Sequence, residues 1–378
     1  MLCFSHDWTG DPLSKTHLMR LLAQDNRILW VNSIGQRAPS LGNKHDVGRI
    51  FRKLKAAAEP VREVEPNIFV FSPLVLPAWG KPWVQRLNAR LLAVQVRRAM
   101  RQLGFTRPVN WVFNPYAGVV AGRFDEERVI YYCVDEYTAF AGVDTAALTA
   151  VERRLIEQAD LVVVSASKLL ETKKAPHAPT VLIRHGVDYT HFRRALDPET
   201  VVPDEISSLP RPVIGYFGLI AEDWVDMPLL IHLARSHPSA TLVLLGKVTM
   251  DVTALEREPN VRLLGRKTYE SLPGYCKGFD VAVIPFPVTE VTLSANPLKA
   301  REYLAAGLPV VSTAIPEVEV LGECLIGHSP EEFAVRVGEA LARPGPDAAR
   351  SQRMETESWA ARLEEVRKYV ATLPPRSG

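Results

Sequence analysis

Short runs of apolar, mostly β-branched residues recur along the chain. They alternate with segments whose apolar residues return every three or four positions. In the first half this pattern predicts strands at 2–5, 27–32, 68–71, 109–113, 129–133, 161–164 and 181–184. In the second half it predicts strands at 213–218, 241–245, 261–264, 281–284 and 310–312. Such alternation is typical of α/β proteins with parallel sheets and crossover helices.

The length and the spacing of the apolar runs indicate two domains. At 378 residues the chain exceeds what one hydrophobic core usually organises. Residues 193–212 are rich in Pro, Asp, Glu and Ser and lack apolar periodicity, so we interpret them as a linker. The sequence therefore predicts a first domain at 1–192, a second at 213–355 and a final helix within 356–378.

The segment from Asn296 to Val311 carries the signals of a short helix followed by a buried strand. Asn296 is a typical N-cap, and Pro297 suits the first helical position, where a missing N–H costs nothing. Gly307 suits the left-handed position after the helix, and Pro309 prevents its continuation. The segment predicts a helix that begins at Pro297 and ends before Gly307.

The start of this helix combines features that favour a phosphate. Free N–H groups and a partial positive charge are found at any helix N-terminus. Lys299 opposes the helix dipole in the first turn, which is understandable if an anion binds beside it. Glu302 lies roughly 7 Å along the axis from Pro297, about the reach from a diphosphate to a ribose. The alternative is an ordinary capped helix of an α/β domain.

A known signature resembles this segment. The pattern Asn-Pro-x-Lys-x-x-Glu-Tyr-Leu-Ala-x-Gly runs here from Asn296 to Gly307. It resembles the nucleotide-sugar signature of the retaining GT-B glycosyltransferases of family 4 (group 1), and within them the teichuronic-acid-type uronosyltransferase branch. There is one departure: many members carry a second glutamate where this chain has Ser294. The identity of the transferred sugar is therefore left open.

The resemblance implies a fold and an activity. The fold is GT-B, in which two Rossmann-like parallel-sheet domains face each other across a cleft and the last helix crosses back to the first domain. The activity is metal-independent, retaining transfer of a hexosyl or uronosyl group from a nucleoside diphosphate sugar to a hydroxyl acceptor, in surface polysaccharide or lipid-linked glycan synthesis. Two alternatives stay open: a nucleotide-sugar epimerase of the same fold, and a non-catalytic GT-B partner subunit.

Under this resemblance, candidate donor contacts come from three places in the chain. The loop after the first strand supplies Gly10, and strand ends of the second domain supply Gly218, Lys247 and Arg266. The helix start supplies the remaining candidates, which are Asn296, Pro297, Leu298, Lys299 and Glu302. Lys299 and Glu302 are also candidate catalytic residues. Lys247 and Arg266 are equally well explained as surface cations.

Candidate acceptor contacts lie at strand ends of the first domain. Asp135 follows the strand at 129–133, and ligands gather at the carboxyl ends of parallel strands. We predict that Asp135 contacts the acceptor or the sugar and takes part in catalysis; the alternative is a solvated acid that caps the next helix. His6 and Asp7 are candidates for orienting the acceptor hydroxyl. Lys15, on the following helix, is a candidate phosphate contact or a surface lysine.

Several classes of protein are not supported. The composition, 47% hydrophobic and 23% charged, is that of a folded protein. The four cysteines form no C-x-x-C pair, and Cys3 and Cys133 read as buried apolar residues. The sequence contains no Asp-x-Asp, no G-x-G-x-x-G after a strand and no P-loop, so neither a metal nor a cofactor is expected. It shows neither a signal peptide nor a membrane-spanning run, which predicts a cytoplasmic protein, with peripheral attachment at the inner face of the membrane left open.

Positive charge is concentrated in one segment. Between residues 44 and 107, thirteen Lys or Arg residues are accompanied by four acidic ones. Within it, residues 84–102 have the spacing of a basic amphipathic helix, which suits an anionic membrane surface. The other interpretation is a domain helix with one core face and one solvated face. Nucleic acid is not favoured, because aromatic residues are not interleaved with the basic ones.

Overall fold

The computed structural model describes residues 1–8, 12–34, 59–76, 79–374 and 376. The chain divides into two compact units, Met1–Arg184 with Leu363–Gly378, and His185–Arg362. The change of unit at Arg184 precedes the predicted linker at 193–212. Within that stretch Ala195 and Ile206 are buried in the core of the second unit, because they are apolar and lie on short helical turns.

The first unit is built on a sheet of eight strands in the order β3-β4-β2-β1-β5-β6-β7-β8. The strands are β1 (Leu2–Phe4), β2 (Ile28–Val31), β3 (Arg62–Glu65), β4 (Ile68–Phe71), β5 (Val109–Val112), β6 (Arg128–Cys133), β7 (Leu161–Val164) and β8 (Thr180–Leu182). All pairings are parallel except that of β3 with β4. The apolar pattern predicted every strand except β3, a partly exposed edge strand whose sequence, Arg-Glu-Val-Glu, has no apolar run.

The second unit has a six-stranded parallel sheet in the order β11-β10-β9-β12-β13-β14. Its strands are β9 (Val213–Phe217), β10 (Thr241–Leu245), β11 (Val261–Leu263), β12 (Val281–Ile284), β13 (Val310–Thr313) and β14 (Leu325–Gly327). The pattern predicted five of them. It missed β14, which is three residues long and lies at the edge of the sheet, where burial does not demand an apolar run.

In the part of the chain that the structure describes, fifteen α-helices accompany these sheets. In chain order the α-helices are α1 (Ser14–Leu22), α2 (Pro82–Gln102), α3 (Thr145–Gln158), α4 (Ser167–Thr172), α5 (Tyr189–Phe192), α6 (Asp204–Ser207), α7 (Met227–Ser236), α8 (Thr253–Glu256), α9 (Leu272–Gly278), α10 (Glu290–Leu293), α11 (Leu298–Ala305), α12 (Pro316–Glu319), α13 (Pro330–Ala340), α14 (Ala348–Gln352) and α15 (Trp359–Thr372). Short 3-10 helices occupy Pro115–Val119, Tyr137–Ala139, Arg193–Leu196, Tyr269–Ser271 and Glu355–Glu357.

The last helix begins in the second unit and ends in the first. Its C-terminal part, from Leu363 onward, groups with the first unit. Two hydrogen bonds hold that end: Arg128 donates to the carbonyl of Leu373 at 3.3 Å, and Arg376 donates to the carbonyl of Gln158 at 3.0 Å. The apolar stripe that predicted this helix is buried at Trp359, Leu363 and Val366.

Each sheet has one point at which the strand order reverses. In the first unit it lies between β1 and β5, and in the second between β9 and β12. Ligands of open α/β sheets bind in the crevice outside the carboxyl ends of the strands at such a point. The topology therefore selects one candidate region in each unit. Among the described residues, no helix has the length and apolarity that a bilayer crossing requires.

Candidate functional site

Helix α11 begins one residue later than the sequence predicted. Pro297 is the N-cap, with φ −64° and ψ 118°, and Leu298 is the first helical residue. The prediction that Asn296 caps the helix is wrong. Its Oδ1 instead accepts a hydrogen bond from Arg301 Nη1 at 2.9 Å, and both side chains are buried. A buried guanidinium needs acceptors, and the Asn296 amide oxygen supplies one of them.

The end of α11 confirms the prediction for Gly307. Its φ is +81°, in the left-handed region that glycine adopts without strain. The N–H of Leu308 donates to the carbonyl of Tyr303 at 3.0 Å, and that of Gly307 donates to Leu304 at 2.8 Å. These two bonds form a Schellman motif, which fixes where the helix ends.

Lys299 lies at the reversal point of the second sheet. Its amine is 5.7 Å from the ring centroid of Tyr216, in β9, and 5.4 Å from that of Phe286, just after β12. The lysine also occupies the space beside Gly218, where a Cβ would lie 2.7 Å from Nζ. Gly218 has φ +142°, so both its backbone conformation and its neighbour exclude a side chain. The two predicted residues are thus brought together from β9 and α11.

The surroundings of Lys299 make it receptive to an anion. Burial lowers the pKa of its amine, and the charge of Glu302 opposes that shift only in part. A desolvated cation at a helix N-terminus is unfavourable until a negative group neutralises it. A phosphate at this position would therefore relieve an electrostatic cost that the folded chain already carries. Glu302 is itself partly buried, one turn further along α11.

The other predicted strand-end residues lie along the same sheet edge. Gly218 donates its N–H to the carbonyl of Leu245 at 2.8 Å, and Gly246 donates to Gly265 at 2.9 Å, so the ends of β9, β10 and β11 are joined. Lys247 and Arg266, which follow β10 and β11, are both exposed. The structure places them on successive strands beside the reversal point.

In the first unit, the reversal point and its neighbouring strand bring together two partly buried groups of opposite charge, Asp135 and Lys15. Burial raises the pKa of Asp135, after β6, to about 6, and the charge of Lys15 opposes this rise. Burial also lowers the pKa of Lys15, with Asp135 opposing. For His6, after β1, burial and then Lys15 lower the pKa to about 3. His6 is therefore a neutral imidazole at physiological pH, with Nδ1 3.1 Å from Ser5 Oγ.

Two other residues predicted for the site in this unit are Asp7 and Gly10. Asp7 is exposed, and its Oδ1 accepts a hydrogen bond from the N–H of Ser33 at 3.0 Å, which stabilises the loop after β1. Gly10 lies outside the described residues. Among the described residues, no cluster of three or more His, Cys, Asp or Glu side chains has an arrangement that could hold a metal.

A buried ionic network, which the sequence did not reveal, supports the turn that carries Asp135. Lys173 Nζ donates to Glu136 and to Glu152, each at 2.8 Å, and the Tyr131 hydroxyl donates to Glu152. Burial lowers the pKa of Lys173, but the two carboxylates outweigh burial and raise it to about 12. Each group has a partner, as buried charges require.

The comparisons with known proteins assign the second unit. Residues 211–343 match the model of the family described as "Glycosyl transferases group 1". This part of the chain is a group 1 glycosyl transferase domain. A relative assigned to teichuronic acid biosynthesis, the glycosyltransferase TuaH of Bacillus subtilis (strain 168), is 24% identical over 69% of this chain and 71% of its own length. Both findings confirm the resemblance on which the interpretation of the sequence depended.

Solved structures confirm the predicted fold class. Sucrose-phosphate synthase from Thermosynechococcus elongatus superposes with a TM-score of 0.70 at 15% identity, covering 98% of each chain. An E. coli trehalose-6-phosphate protein bound with UDP-2-fluoro glucose has a TM-score of 0.70 at 12% identity, covering 99% of each. Anabaena HepE in complex with UDP and glucose has a TM-score of 0.66 at 14% identity, covering 98% of this chain and 99% of that one. The protein has two parallel-sheet α/β domains of the GT-B class.

Within the group 1 domain, two residues of the signature that received no role from the sequence hold α11 in place. The N–H of Phe217 donates to the Tyr303 hydroxyl at 2.8 Å, which ties α11 to β9. Arg301 Nε donates to Glu357 Oε2 at 3.2 Å, in addition to its bond with Asn296. Burial lowers the pKa of Arg301, and Glu357 opposes this shift. In the sequence, only the position of Arg301 and Tyr303 within the signature, between Lys299 and Gly307, could have indicated this role.

The Trp224-Val225-Asp226 segment of the group 1 domain also receives a structural role. Asp226 Oδ1 accepts a hydrogen bond from the N–H of Leu229 at 2.9 Å and so caps α7. The Trp224 ring lies 5.3 Å from that of Phe286, and the Phe286 ring in turn lies 5.4 Å from the amine of Lys299. The segment therefore supports the aromatic floor beneath Lys299.

Proposed function

We propose that this protein transfers a sugar from a nucleoside diphosphate sugar to a hydroxyl acceptor, with retention of anomeric configuration. One observation carries the proposal: Lys299 lies desolvated at the N-terminus of α11, at the reversal point between β9 and β12. The group 1 assignment of residues 211–343 supports it, because that family is named for glycosyl transfer. The donor diphosphate supplies the negative charge that stabilises the Lys299 ammonium group.

In this mechanism the second unit stabilises the leaving group. As the bond between C1 and the phosphate oxygen breaks, negative charge grows on the diphosphate beside Lys299 and the N–H groups that begin α11. Preorganised charge of this kind stabilises the transition state without reorganisation. The sugar acquires oxocarbenium character, the acceptor hydroxyl attacks from the face that the diphosphate leaves, and the departing phosphate oxygen takes the hydroxyl proton.

Glu302 and the strand-end residues are proposed to hold the rest of the donor. Glu302 lies about 7 Å along α11 from Pro297, which is about the distance from a diphosphate to a ribose. Its carboxylate accepts hydrogen bonds from hydroxyl groups. Gly218 lets the donor approach the backbone closely because it lacks a side chain. Lys247 and Arg266 lie exposed further along the edge, where a base or a phosphate would pass.

The first unit is proposed to receive the acceptor. Asp135, with a pKa of about 6, accepts a hydrogen bond from the acceptor hydroxyl when ionised, and the neutral His6 imidazole provides a second polar contact. Asp7 remains a proposed contact at the rim of the same strand ends. TuaH is assigned to teichuronic acid biosynthesis, which favours a hexosyl or uronosyl donor and a surface polysaccharide acceptor. We further propose that no metal is needed, because Lys299 and the helix N-terminus meet the diphosphate charge.

The first experiment screens donors by thermal shift with UDP-, GDP- and dTDP-sugars, starting with UDP because Anabaena HepE was solved with UDP.

Lys299→Met is expected to lower kcat/KM by about 100-fold, the cost of one preorganised charge at a developing anion. Lys368→Met, an exposed lysine of α15, is the matched control. Product NMR tests retention, and an EDTA-treated sample tests metal independence.

The outcomes separate the proposal from its rivals. Conversion of the donor to an isomeric nucleotide sugar without an acceptor would show an epimerase. Donor binding with no turnover on any acceptor glycan would support a partner subunit. Equal activity of Lys299→Met and Lys368→Met would remove Lys299 from the site, and activity restored after EDTA only by Mn²⁺ or Mg²⁺ would show that the diphosphate needs a metal.

A further inference from the structure

The exposed face of α2 combines apolar and basic side chains in an unusual way. Trp83 and Val94 are 59% and 65% exposed, and Leu87 and Leu91 are also exposed. Five arginines lie on the same helix and are exposed as well: Arg86, Arg90, Arg97, Arg98 and Arg101. The helix contains no acidic residue. Its core side is a separate set of residues, which includes Val84, Leu92, Val96 and Met100.

Up to Arg97, the exposed apolar and basic residues lie on different sides of the helix axis. At about 100° per residue, Trp83, Leu87, Leu91 and Val94 fall on one half of the exposed face. Arg86, Arg90 and Arg97 fall on the other half, whereas Arg98 and Arg101, near the C-terminal end of the helix, fall on the apolar half beyond Val94. A helix that buries one side in its domain needs no such order on its exposed side. The separation is that of an interfacial helix, with an apolar strip beside a basic one.

A neighbouring segment widens the apolar strip. Gln95 and Asn88, two turns apart on α2, bind the backbone of an adjacent stretch through their side-chain amides. Gln95 accepts from the N–H of Leu74 at 3.0 Å and donates to its carbonyl at 2.9 Å; Asn88 does the same for Leu76, at 2.8 Å each. Leu74 and Leu76 are exposed. These bonds align them beside the apolar half of the helix.

We propose that this surface, defined by the exposed residues of α2 with Leu74 and Leu76, docks on an anionic phospholipid bilayer. The apolar strip enters the headgroup boundary, and the arginines meet the lipid phosphates. A second copy of this chain is the less favourable occupant, because pairing two such faces would bring ten arginines together without a counter-charge. The inference does not depend on which sugar the protein transfers. The basic residues between 44 and 58, which belong to the segment predicted to contact a membrane, lie outside the described residues and are not part of this surface.

Vesicle sedimentation tests the proposal with the full chain. Phosphatidylcholine vesicles containing phosphatidylglycerol are compared with vesicles of phosphatidylcholine alone, at low and high salt. Binding is expected to need phosphatidylglycerol and to weaken as salt rises. Arg86→Gln with Arg90→Gln should weaken binding by about 30-fold, since each basic residue contributes on the order of fivefold at such a surface. Arg153→Gln with Arg154→Gln, exposed on α3 of the same unit, should leave it unchanged.

A second pair of variants tests the apolar strip. Trp83→Ser with Val94→Ser should weaken binding in high salt as well, whereas Val320→Ser with Val335→Ser, equally exposed valines of the other unit, should not. All these side chains are exposed, and thermal melts check that each variant is folded. Equal sedimentation with both vesicle types would overturn the proposal. So would a dimer in light scattering that is lost with Trp83→Ser and Val94→Ser, which would assign the surface to a second copy.

Discussion

The reversal points of the two sheets are alike in topology and in having a lysine near a helix start with a carboxylate as its counter-charge, but the groups around the two lysines differ. In the second unit, Lys299 is buried against aromatic rings and a glycine, and Glu302 compensates its charge only in part. In the first unit, Asp135 and Lys15 oppose each other's shifts, and His6 is neutral. In the second unit aromatic rings and a glycine therefore surround the lysine, whereas in the first a carboxyl group with a raised pKa and a neutral imidazole accompany it.

This difference corresponds to two kinds of ligand. A desolvated amine at a helix N-terminus gains most from a dianionic group such as a diphosphate. The carboxyl group and the neutral imidazole of the first unit are suited to hydrogen bonds with a neutral hydroxyl. The same fold element, repeated twice, is thus suited to a donor in one unit and to an acceptor in the other. The groups that surround each lysine are what distinguish them.

The largest effect is expected where the backbone makes room for Lys299. Gly218→Ala places a Cβ at φ +142° and 2.7 Å from the lysine amine, so the side chain must move. We expect kcat/KM to fall by about 100-fold, the effect of losing one preorganised charge, together with a loss of stability of about 1–3 kcal/mol from the backbone conformation. Steady-state kinetics and chemical denaturation measure the two effects.

Gly322→Ala is the control for that variant. Gly322 has φ +72°, and a Cβ there would meet no atom within 4 Å, so the substitution strains the backbone without touching the site. It should cost stability and leave kcat/KM close to that of the wild type. Equal kinetic losses in the two variants would show that backbone strain, rather than displacement of Lys299, controls the activity.

A smaller effect is expected from Glu302→Gln. The substitution keeps the shape of the side chain but removes the negative charge of the carboxylate that accepts hydrogen bonds from the ribose hydroxyls. A hydrogen bond to a charged group contributes about 1.5–3 kcal/mol, so donor affinity should fall by about 10-fold to 100-fold. Calorimetry with UDP and with 3′-deoxy-UDP sharpens the test. The wild type should prefer UDP, and the variant should bind both alike.

Glu256→Gln, an exposed glutamate on α8, is the matched control for Glu302→Gln and should bind UDP as the wild type does. If Glu302→Gln keeps the full preference for UDP over the deoxy nucleotide, another residue recognises the ribose. The second unit would then bind the diphosphate through Lys299 without the proposed role of Glu302.

Local patterns predicted the parts of this fold that are themselves local. Apolar runs located the central strands because those strands are buried on both faces, and glycine and proline signals located the end of α11. The unfavourable position of Lys299 in the first turn of a helix predicted a phosphate site, and the structure places Lys299 at the reversal point of the second sheet. Edge strand β3 was missed because its burial does not impose an apolar pattern.

Long-range partners account for what the sequence could not supply. Asn296 is a typical N-cap residue, but the cap is Pro297, and the Asn296 amide oxygen accepts a hydrogen bond from Arg301, with which it is buried. Lys173 meets Glu136 and Glu152 across 37 and 21 positions of sequence, and no spacing links them. Both networks hold site-bearing turns in place, so the missed residues position the ones that were predicted.

The smallest effect concerns the first unit and depends on pH. Burial raises the pKa of Asp135 to about 6, above its value of about 3.9 in an unfolded chain. Between these values the folded protein binds more protons than the unfolded chain, so the carboxyl lowers the free energy of unfolding as the pH rises from about 4 to about 6. Relative to Asp135→Asn, the wild type should lose on the order of 1 kcal/mol over this range. Urea denaturation of both proteins at several pH values measures the difference. A difference that does not change with pH would show that Lys15 already holds Asp135 ionised, and the first reversal point would then be a salt bridge rather than a site poised for a neutral hydroxyl.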